Sequence, residues 1–251
     1  MKLKCVVVGT GRCGTVYTAR FLTSVGMPCG HESVFDYRGL DFAIARLDGH
    51  LPIETSDCSL HSHVDGAHDP IPVWINNKDI VAESSYLAAP FLSHSCLKDT
   101  KIIHQVRNPV NIINSFVNYL CYFEHRHPAL WEPAKTYETF IYSHVPELYW
   151  DMSQIERCVL YYVRWNQLIE KQLEGRNYLR HKVEDPNDEL FEYLDIPKQS
   201  DFFNDKESNT FRRQGVVRFH LGQLPTGGLK DEFLEMSNRY GYKTGLKYLT
   251  I

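Results

Sequence analysis

The strongest constraint on the fold is a glycine-rich loop near the start of the chain. The sequence VVVGTGRCGT at residues 6–15 ends a short apolar run and leads into a helical pattern over residues 15–25. Glycines let the backbone approach a ligand closely, and the N–H groups at the start of a helix attract anions. The order strand, glycine loop, helix therefore predicts a binding site for a phosphate or a similar anion.

Strand-like and helix-like segments alternate along the rest of the chain. Strand patterns cover residues 3–8, 79–83, 101–106 and 177–183, and helix patterns cover 15–25, a segment beginning at Pro109, 154–174, 189–194 and 229–240. This alternation predicts an α/β fold in which helices cover both faces of a mostly parallel central sheet, a three-layer α/β/α arrangement. We expect a single domain over residues 1–251, with no clear pattern in the stretches 36–78 and 121–150.

The composition limits the class of protein. Apolar residues make up 43% of the 251 residues, which is enough for a buried core, and the net charge of −4 disfavours a nucleic-acid-binding protein. No apolar run is long enough for a transmembrane helix, and a strand pattern from Leu3 leaves no room for a signal peptide. Seven cysteines without a C-x-x-C pair indicate reduced thiols, so we expect a cytoplasmic protein.

The loop is compatible with more than one class of phosphate site. Gly9, Gly11 and Gly14 fit the dinucleotide pattern G-x-G-x-x-G, which would make the chain an NAD-dependent Rossmann oxidoreductase. That pattern also requires an acidic residue about 20 positions later, at the end of a second strand. Glu32 has roughly that spacing, but residues 26–31 are a poor strand pattern, which weakens the dinucleotide interpretation.

Two further interpretations concern the residues inside the loop. Gly9 and Gly14 also fit the frame of an ATP-binding P-loop, but Thr15 and Val16 stand where that site requires Lys and Ser or Thr. Alternatively, the cation lies inside the loop at Arg12, where it can contact a phosphate or a transferring group directly. The remaining alternative is that the loop is a glycine-rich surface turn with a solvated arginine and binds no ligand.

A second motif, R-x-P-x-x-x-x-x-S, follows the strand pattern at residues 101–106. Arg107 would lie at the strand end beside a helix N-terminus, where anions are favoured, and Pro109 suits the first helical position. Ser115 lies ~12 Å further along the helix axis, so it can share an anion with Arg107 only along the flank of the helix. The alternative is an ordinary strand-to-helix turn with a solvent-facing serine.

Together the two motifs resemble those of sulfotransferases that use 3′-phosphoadenosine 5′-phosphosulfate (PAPS). In that family a similar loop binds the 5′-phosphosulfate through a Lys or Arg at the position of Arg12, and an R-x-P motif holds the 3′-phosphate. The resemblance implies a P-loop-type fold. It also implies a nucleotide site made of Gly9, Gly11, Arg12, Cys13, Gly14, Thr15, Val16, Arg107 and Ser115.

Other segments of the chain are similar to the same family. They are AESS followed by AP within residues 82–90, YYVRWNQLIE at 161–170, HKVED at 181–185 and YGY at 240–242. The stretches 36–78 and 121–150 have no counterpart, so we expect them to be acceptor-side insertions. A basic turn with Arg212 and Arg213 partly matches the loop that closes over the 3′-phosphate in the family, and a surface arginine pair is the alternative.

The resemblance also implies the reaction. PAPS would be the co-substrate, no metal would be required, and the acceptor would be a hydroxyl or amine of a carbohydrate or another small molecule. Glu32 is the first candidate for the base, because one branch of the family places a catalytic Glu after the first helix, and a helix-capping carboxylate is the alternative. His31 could orient Glu32 or replace it. Glu83 is the second base candidate, and Arg12 would face the charge of the leaving phosphate.

Some features stay open at this point. His61, His63, His68 and Asp69 have a spacing that could bind zinc, face an acceptor or lie on a plain surface. Aromatic side chains between residues 119 and 150 either line an acceptor pocket or belong to the core. A homologue that binds the nucleotide without catalysis is the remaining alternative to an enzyme.

Overall fold

A computed structural model describes residues 2–52, 80–118, 132–149, 151–198 and 219–243. Its strands are β1 Cys5–Val8, β2 Cys29–His31, β3 Ala82–Ser84, β4 Lys101–Val106 and β5 Tyr178–Lys182. Its α-helices are α1 Thr15–Ser24, α2 Leu40–Leu47, α3 Pro109–Asn118, α4 Glu132–His144, α5 Gln154–Gln172, α6 Asp188–Leu194 and α7 Gly228–Arg239. None of the helices in these ranges is both long and apolar enough to cross a membrane.

The described strands form one sheet in the order β2-β3-β1-β4-β5, and every pair of neighbours is parallel. Successive side chains point to opposite faces of the sheet. On one face Cys5, Val7 and Ile103 pack against α1 and α6. On the other face Val6 and Val8 share a core with α3, α5 and α7. Helices therefore cover both faces, which confirms the predicted α/β fold with three layers.

The parallel arrangement brings the carboxyl ends of all five strands to one edge of the sheet. The glycine loop follows β1, Glu32 follows β2, and Arg107 follows β4. Ligands of open parallel sheets bind in the crevice at this edge. The sheet topology therefore places the residues from distant parts of the sequence on the same side of the molecule.

The second strand is the main error of the sequence prediction. Residues 26–31 are a poor strand pattern, yet Cys29–His31 form β2, a short edge strand paired with β3. The reason is tertiary: Gly30 lies opposite Glu83, and a Cβ at Gly30 would come within 2.4 Å of the Glu83 Oε2 atom. The glycine that weakens the strand pattern is the residue that the neighbouring side chain requires.

The other predicted elements are confirmed to within a few residues. β4 has the predicted bounds, α3 begins at Pro109, and α1 ends before Gly26 in a left-handed turn with φ of 85°. The stretches without a pattern contain α2 and α4, while residues 53–79 and 119–131 lie outside the described residues.

Candidate functional site

The glycine loop contains a tight turn with an arginine in a strained conformation. The N–H of Cys13 donates to the carbonyl oxygen of Thr10 at 3.3 Å, which closes a four-residue turn. Arg12 is the third residue of this turn and has φ of 65°, in the left-handed region that favours Gly or Asn. Strained conformations of this kind concentrate at ligand sites. The left-handed conformation of Arg12 thus has a cost in free energy, and it holds the guanidinium-bearing residue in the turn of the loop.

Gln105 at the end of β4 holds the loop against α1. Its Nε2 donates to the carbonyl oxygen of Cys13 at 2.9 Å, and its Oε1 accepts a hydrogen bond from the Thr18 hydroxyl. Gly9 passes directly over the backbone of Gln105, because a Cβ at Gly9 would lie 2.4 Å from the Gln105 carbonyl oxygen and 2.5 Å from the Cys13 sulfur. The first glycine of the loop is therefore required by packing.

We expect Gly9→Ala to lower the free energy of unfolding by about 1–3 kcal/mol, because the added methyl group overpacks a site closed by backbone atoms. Gly228→Ala is the matched control, since a Cβ there meets nothing within 4 Å at the start of α7. Urea denaturation of both variants measures the difference. Equal stability of Gly9→Ala and the wild type would contradict the close approach.

Tyr161 is a part of the loop site that the sequence prediction missed. Its side chain is fully buried on α5, and its hydroxyl accepts a hydrogen bond from the N–H of Gly11 at 2.9 Å. The helix was predicted, but a tyrosine at one of its many apolar positions gives no signal of a contact 150 positions away in the chain. Gly11 is thus oriented by α5, and its N–H is used within the protein.

The N-terminus of α1 begins at a glycine and has no acidic residue in its first turn. Gly14 at the N-cap has φ of 99° and no side chain to cap the helix, and the first turn contains no acidic residue. By contrast, α5 begins with a capping box in which Ser153 and Glu156 satisfy the terminal N–H groups. The N–H groups and dipole of α1 therefore favour negative charge that no residue of its own first turn supplies.

Arg107 and Ser115 both contact the loop at Arg12. The Nη1 of Arg107 donates to the carbonyl oxygen of Arg12 at 3.0 Å, and the Nε of Arg12 donates to the Ser115 hydroxyl at 2.9 Å. The two sequence motifs therefore meet at one residue, about 100 positions apart in the chain. The guanidinium groups of Arg12 and Arg107 thus lie at the loop that leads into α1, on a chain with a net charge of −4.

The N-terminus of α3, in contrast, is occupied by the protein itself. The Asn108 side chain accepts hydrogen bonds from the N–H groups of Val110 and Asn111, and the Glu184 carboxylate accepts from the N–H of Asn108 at 2.8 Å. The sequence predicted an anion at this helix terminus. In the structure an anion near Arg107 would depend on the arginine and Ser115 side chains, because the first N–H groups of α3 already have acceptors.

Glu32 lies directly after β2, whose last residue, His31, contacts the first residue of α1. Its φ of 53° is left-handed, and its side chain is 11% exposed. The Nε2 of His31 lies 3.1 Å from the Thr15 hydroxyl and 3.7 Å from the Glu32 Oε1 atom. His31 thus links the first residue of α1 with the Glu32 carboxyl group.

The environment of Glu32 makes its carboxyl group more basic than usual. Burial raises its pKa most, and the negative charges of Glu83 and Asp36 raise it further, while a hydrogen bond from Tyr137 and the charge of Arg12 lower it. A carboxyl group with a raised pKa is a stronger base once it is ionised. Through its hydrogen bond to Glu32, Tyr137 brings one aromatic residue of the 119–150 cluster to this site. The Tyr137 ring also packs edge-on against Tyr37, with the ring centroids 5.1 Å apart.

Cys13 in the loop and the two serines of the AESS segment are engaged in contacts within the protein. Burial raises the pKa of the Cys13 thiol to about 12, so it stays protonated and unreactive at neutral pH. The Ser84 hydroxyl donates to the carbonyl oxygen of Thr15, and Ser85 caps the short helix that begins at Tyr86. Arg212, Arg213, His61, His63, His68 and Asp69 lie outside the described residues.

Replacing Glu32 should change how the free energy of unfolding depends on pH. Burial raises the pKa of Glu32, so the folded state keeps a proton that the unfolded state releases, and the free energy of unfolding falls as pH rises above the ordinary value of about 4.3. Glu32→Gln removes this titration. We expect the variant to have the higher Tm at alkaline pH, by about 2–4 °C for each kcal/mol of relieved ionisation.

Calorimetry from about pH 5 to pH 9 measures this effect. The exposed Glu192→Gln on α6 is the control. The Tm difference between Glu32→Gln and the wild type should shrink as pH falls from 9 to 5, because the loss of stability caused by the raised pKa disappears as pH approaches the ordinary value of about 4.3. A difference that is constant over this range would contradict the raised pKa.

Comparison with known proteins adds no family to this description. No protein-family model matches the chain, and no curated protein is significantly similar to it in sequence. Functional inference therefore rests on the two motifs and on the geometry that brings them together.

Proposed function

We propose that the protein is a sulfotransferase that moves the sulfuryl group of PAPS to a hydroxyl or amine acceptor, with Glu32 as the base. The observation that carries this proposal is the meeting of the loop motif and the R-x-P motif at Arg12, beside a helix N-terminus without an acidic residue in its first turn. Two arginines and a serine at the start of a helix suit a ligand with more than one anionic group.

The residues around Arg12 suit the nucleotide phosphates. The N-terminus of α1 and Arg12 would hold the 5′-phosphosulfate, and Arg107 with Ser115 would hold the 3′-phosphate. The bound co-substrate supplies a sulfuryl group whose bond to the 5′-phosphate breaks as the acceptor oxygen or nitrogen forms a bond to sulfur. Arg12 and the α1 dipole would stabilise the charge that appears on the phosphate.

The residues at the end of β2 suit the acceptor. Glu32 would take the proton of the attacking hydroxyl or amine, and its raised pKa matches that task near neutral pH. His31, between Thr15 and Glu32, would orient the carboxyl group relative to the phosphate loop. A carbohydrate or other small-molecule acceptor and a cytoplasmic location remain part of the proposal.

The strand order supports this proposal over the dinucleotide alternative. In dinucleotide-binding folds the second strand lies next to the first, so its terminal acid reaches the ribose of the ligand. Here β3 lies between β1 and β2, which places the strand that carries Glu32 ~10 Å from β1. Glu32 is thus displaced from the position that binding of a nicotinamide dinucleotide would require.

Thermal shift with adenosine 3′,5′-bisphosphate, NAD and ATP tests the ligand class. We expect the bisphosphate to raise Tm, because a ligand at a hundredfold excess over its Kd adds about 2.7 kcal/mol to the free energy of unfolding. Stabilisation by NAD alone would reject the proposal.

Transfer of radiolabelled sulfate from PAPS to glycan, lipid and phenol extracts then tests catalysis. Binding of the bisphosphate without transfer to any extract would indicate a non-catalytic homologue.

A further inference from the structure

We infer that Glu83 is a positioning residue whose carboxyl group fixes the turn that carries Glu32. This inference rests on the proposed function, in which Glu32 acts on the acceptor. Glu83 was a candidate for the base itself. The contacts of its carboxyl group favour a different task, because they are made to the backbone that follows Glu32.

The turn after β2 is held by one oxygen of Glu83. Its Oε1 accepts hydrogen bonds from the N–H groups of Ser33 at 2.7 Å and Val34 at 3.0 Å, the two residues directly after Glu32. Glu32 itself is in the left-handed conformation, which is unfavourable for a residue with a side chain. Such a conformation persists only when its surroundings enforce it, and the two hydrogen bonds to Glu83 supply that restraint.

Glu83 is well placed to act as a rigid support. It lies in the middle of β3, paired with Val6 on one side and Gly30 on the other, and it is fully buried. A Cβ at Gly30 would lie 2.4 Å from the Glu83 Oε2 atom, so the absence of a side chain at Gly30 makes room for the carboxyl group. Functional groups are held most accurately when their supports stand on strands or helices.

A separate ion pair holds the far end of the same turn. Asp36 accepts hydrogen bonds from the Arg38 N–H at 2.7 Å and from the Arg46 Nη1 at 2.8 Å, and Arg46 also donates to the carbonyl oxygen of Val34. The turn from Glu32 to Asp36 is thus bonded to β3 at its start and to α2 at its end. Loss of the Glu83 contacts would release the end that carries Glu32.

The charge of Glu83 acts on Glu32 as well. Among the described residues, the charged and titratable groups that interact with Glu32 include Glu83, Asp36, Arg12, His31, Tyr137 and Tyr161, and Glu83 itself is near Arg46 and Cys29. The negative charge of Glu83 raises the pKa of Glu32. Removing that charge while keeping the acceptor oxygen therefore separates the electrostatic effect of Glu83 from its hold on the backbone.

Glu83→Gln and Glu83→Ala make this separation. Gln keeps an oxygen for the two N–H groups but carries no charge, whereas Ala removes both. With ¹³C-labelled glutamate, the Glu32 carboxyl signal is identified by its loss in Glu32→Gln and titrated in the free protein. We expect the pKa of Glu32 to fall by about one pH unit in Glu83→Gln.

The kinetic readout should split the two variants. We expect Glu83→Gln to retain most of kcat, with the acidic limb of its pH profile moved to lower pH. Glu83→Ala should lose about 100-fold in kcat, as a misplaced catalytic group does, while its Kd for adenosine 3′,5′-bisphosphate changes less than about twofold. Rescue by Gln relative to Ala is the signature of positioning.

Several results would overturn the inference. A folded Glu83→Ala with wild-type kcat would show that the turn needs no support, and a Glu83→Gln as inactive as Glu32→Gln would make Glu83 the base. If Glu83→Ala does not fold, Glu83→Asp replaces it, because it keeps the charge but is one methylene too short, and full kcat in that variant would also reject positioning. An unchanged pKa of Glu32 in Glu83→Gln would reject the electrostatic coupling between Glu83 and Glu32. This result needs no assay of sulfuryl transfer, so it is distinct from a failure of the proposed function.

Discussion

Glu32→Gln is expected to lower kcat for sulfuryl transfer about 10²- to 10⁴-fold, the usual range for loss of a general base, while the Kd for adenosine 3′,5′-bisphosphate stays unchanged. Gln has nearly the size and charge of the protonated Glu32 but cannot accept the proton of the acceptor. Radiolabelled transfer to the acceptor found by the screen measures kcat, and isothermal titration calorimetry measures Kd. The exposed Glu192→Gln should behave as the wild type.

The pH profile of the wild type gives a second test of the base. Because Glu32 must be ionised and its pKa is raised by burial, kcat/KM should rise with pH through that raised value and then level off. In Glu32→Gln this limb should disappear. If transfer persists with an unchanged limb, another group carries the proton, and His31 would be examined next because it lies 3.7 Å from the Glu32 carboxyl group.

Arg107→Ala is expected to weaken binding of adenosine 3′,5′-bisphosphate about 30-fold or more, the usual cost of truncating one partner of a hydrogen-bonded charge pair. The guanidinium would contact the 3′-phosphate, and its Nη1 also holds the carbonyl oxygen of Arg12, so its loss loosens the loop as well. Arg107→Lys should recover only part of the affinity, because an ammonium group lacks the planar fork of donors.

A matched control separates this site from general charge. Arg239→Ala on α7 removes an arginine that pairs with Glu170, and it should leave bisphosphate binding unchanged. Titration calorimetry with the bisphosphate and with adenosine 5′-phosphate compares the two variants. Arg107→Ala should lose the preference for the 3′-phosphate. Unchanged preference would show that the 3′-phosphate binds elsewhere.

Local features of the site were predictable because they depend on neighbouring residues. Glycine spacing, an apolar strand before it and a helical pattern after it identify the loop from Gly9 to Gly14. A strand followed by Arg107 and by Pro109 at a first helical position identifies the second motif. The left-handed conformations of Arg12 and Glu32 could not be read from their residue types, because neither type favours them.

Contacts between distant residues were the part that sequence patterns missed. The bond between Gly11 and Tyr161 joins the loop to a helix far along the chain, and nothing about a tyrosine in an apolar helix indicates it. Glu83 was a candidate for the base only through the resemblance, because some sulfotransferases have a His after the corresponding strand. Its contacts with Ser33 and Val34 exist only because β2 and β3 are neighbours in the sheet.

The sequence by itself determined the alternation of strands and helices, and it predicted an anion-binding loop with Arg12 and a second motif with Arg107. These properties follow from side-chain type and short-range spacing. Only the tertiary structure decided that the two motifs meet, that β3 separates β2 from β1, and that the first N–H groups of α3 already have acceptors. The physical reason is that parallel strands bring their carboxyl ends together in an order set by the packing of the whole chain.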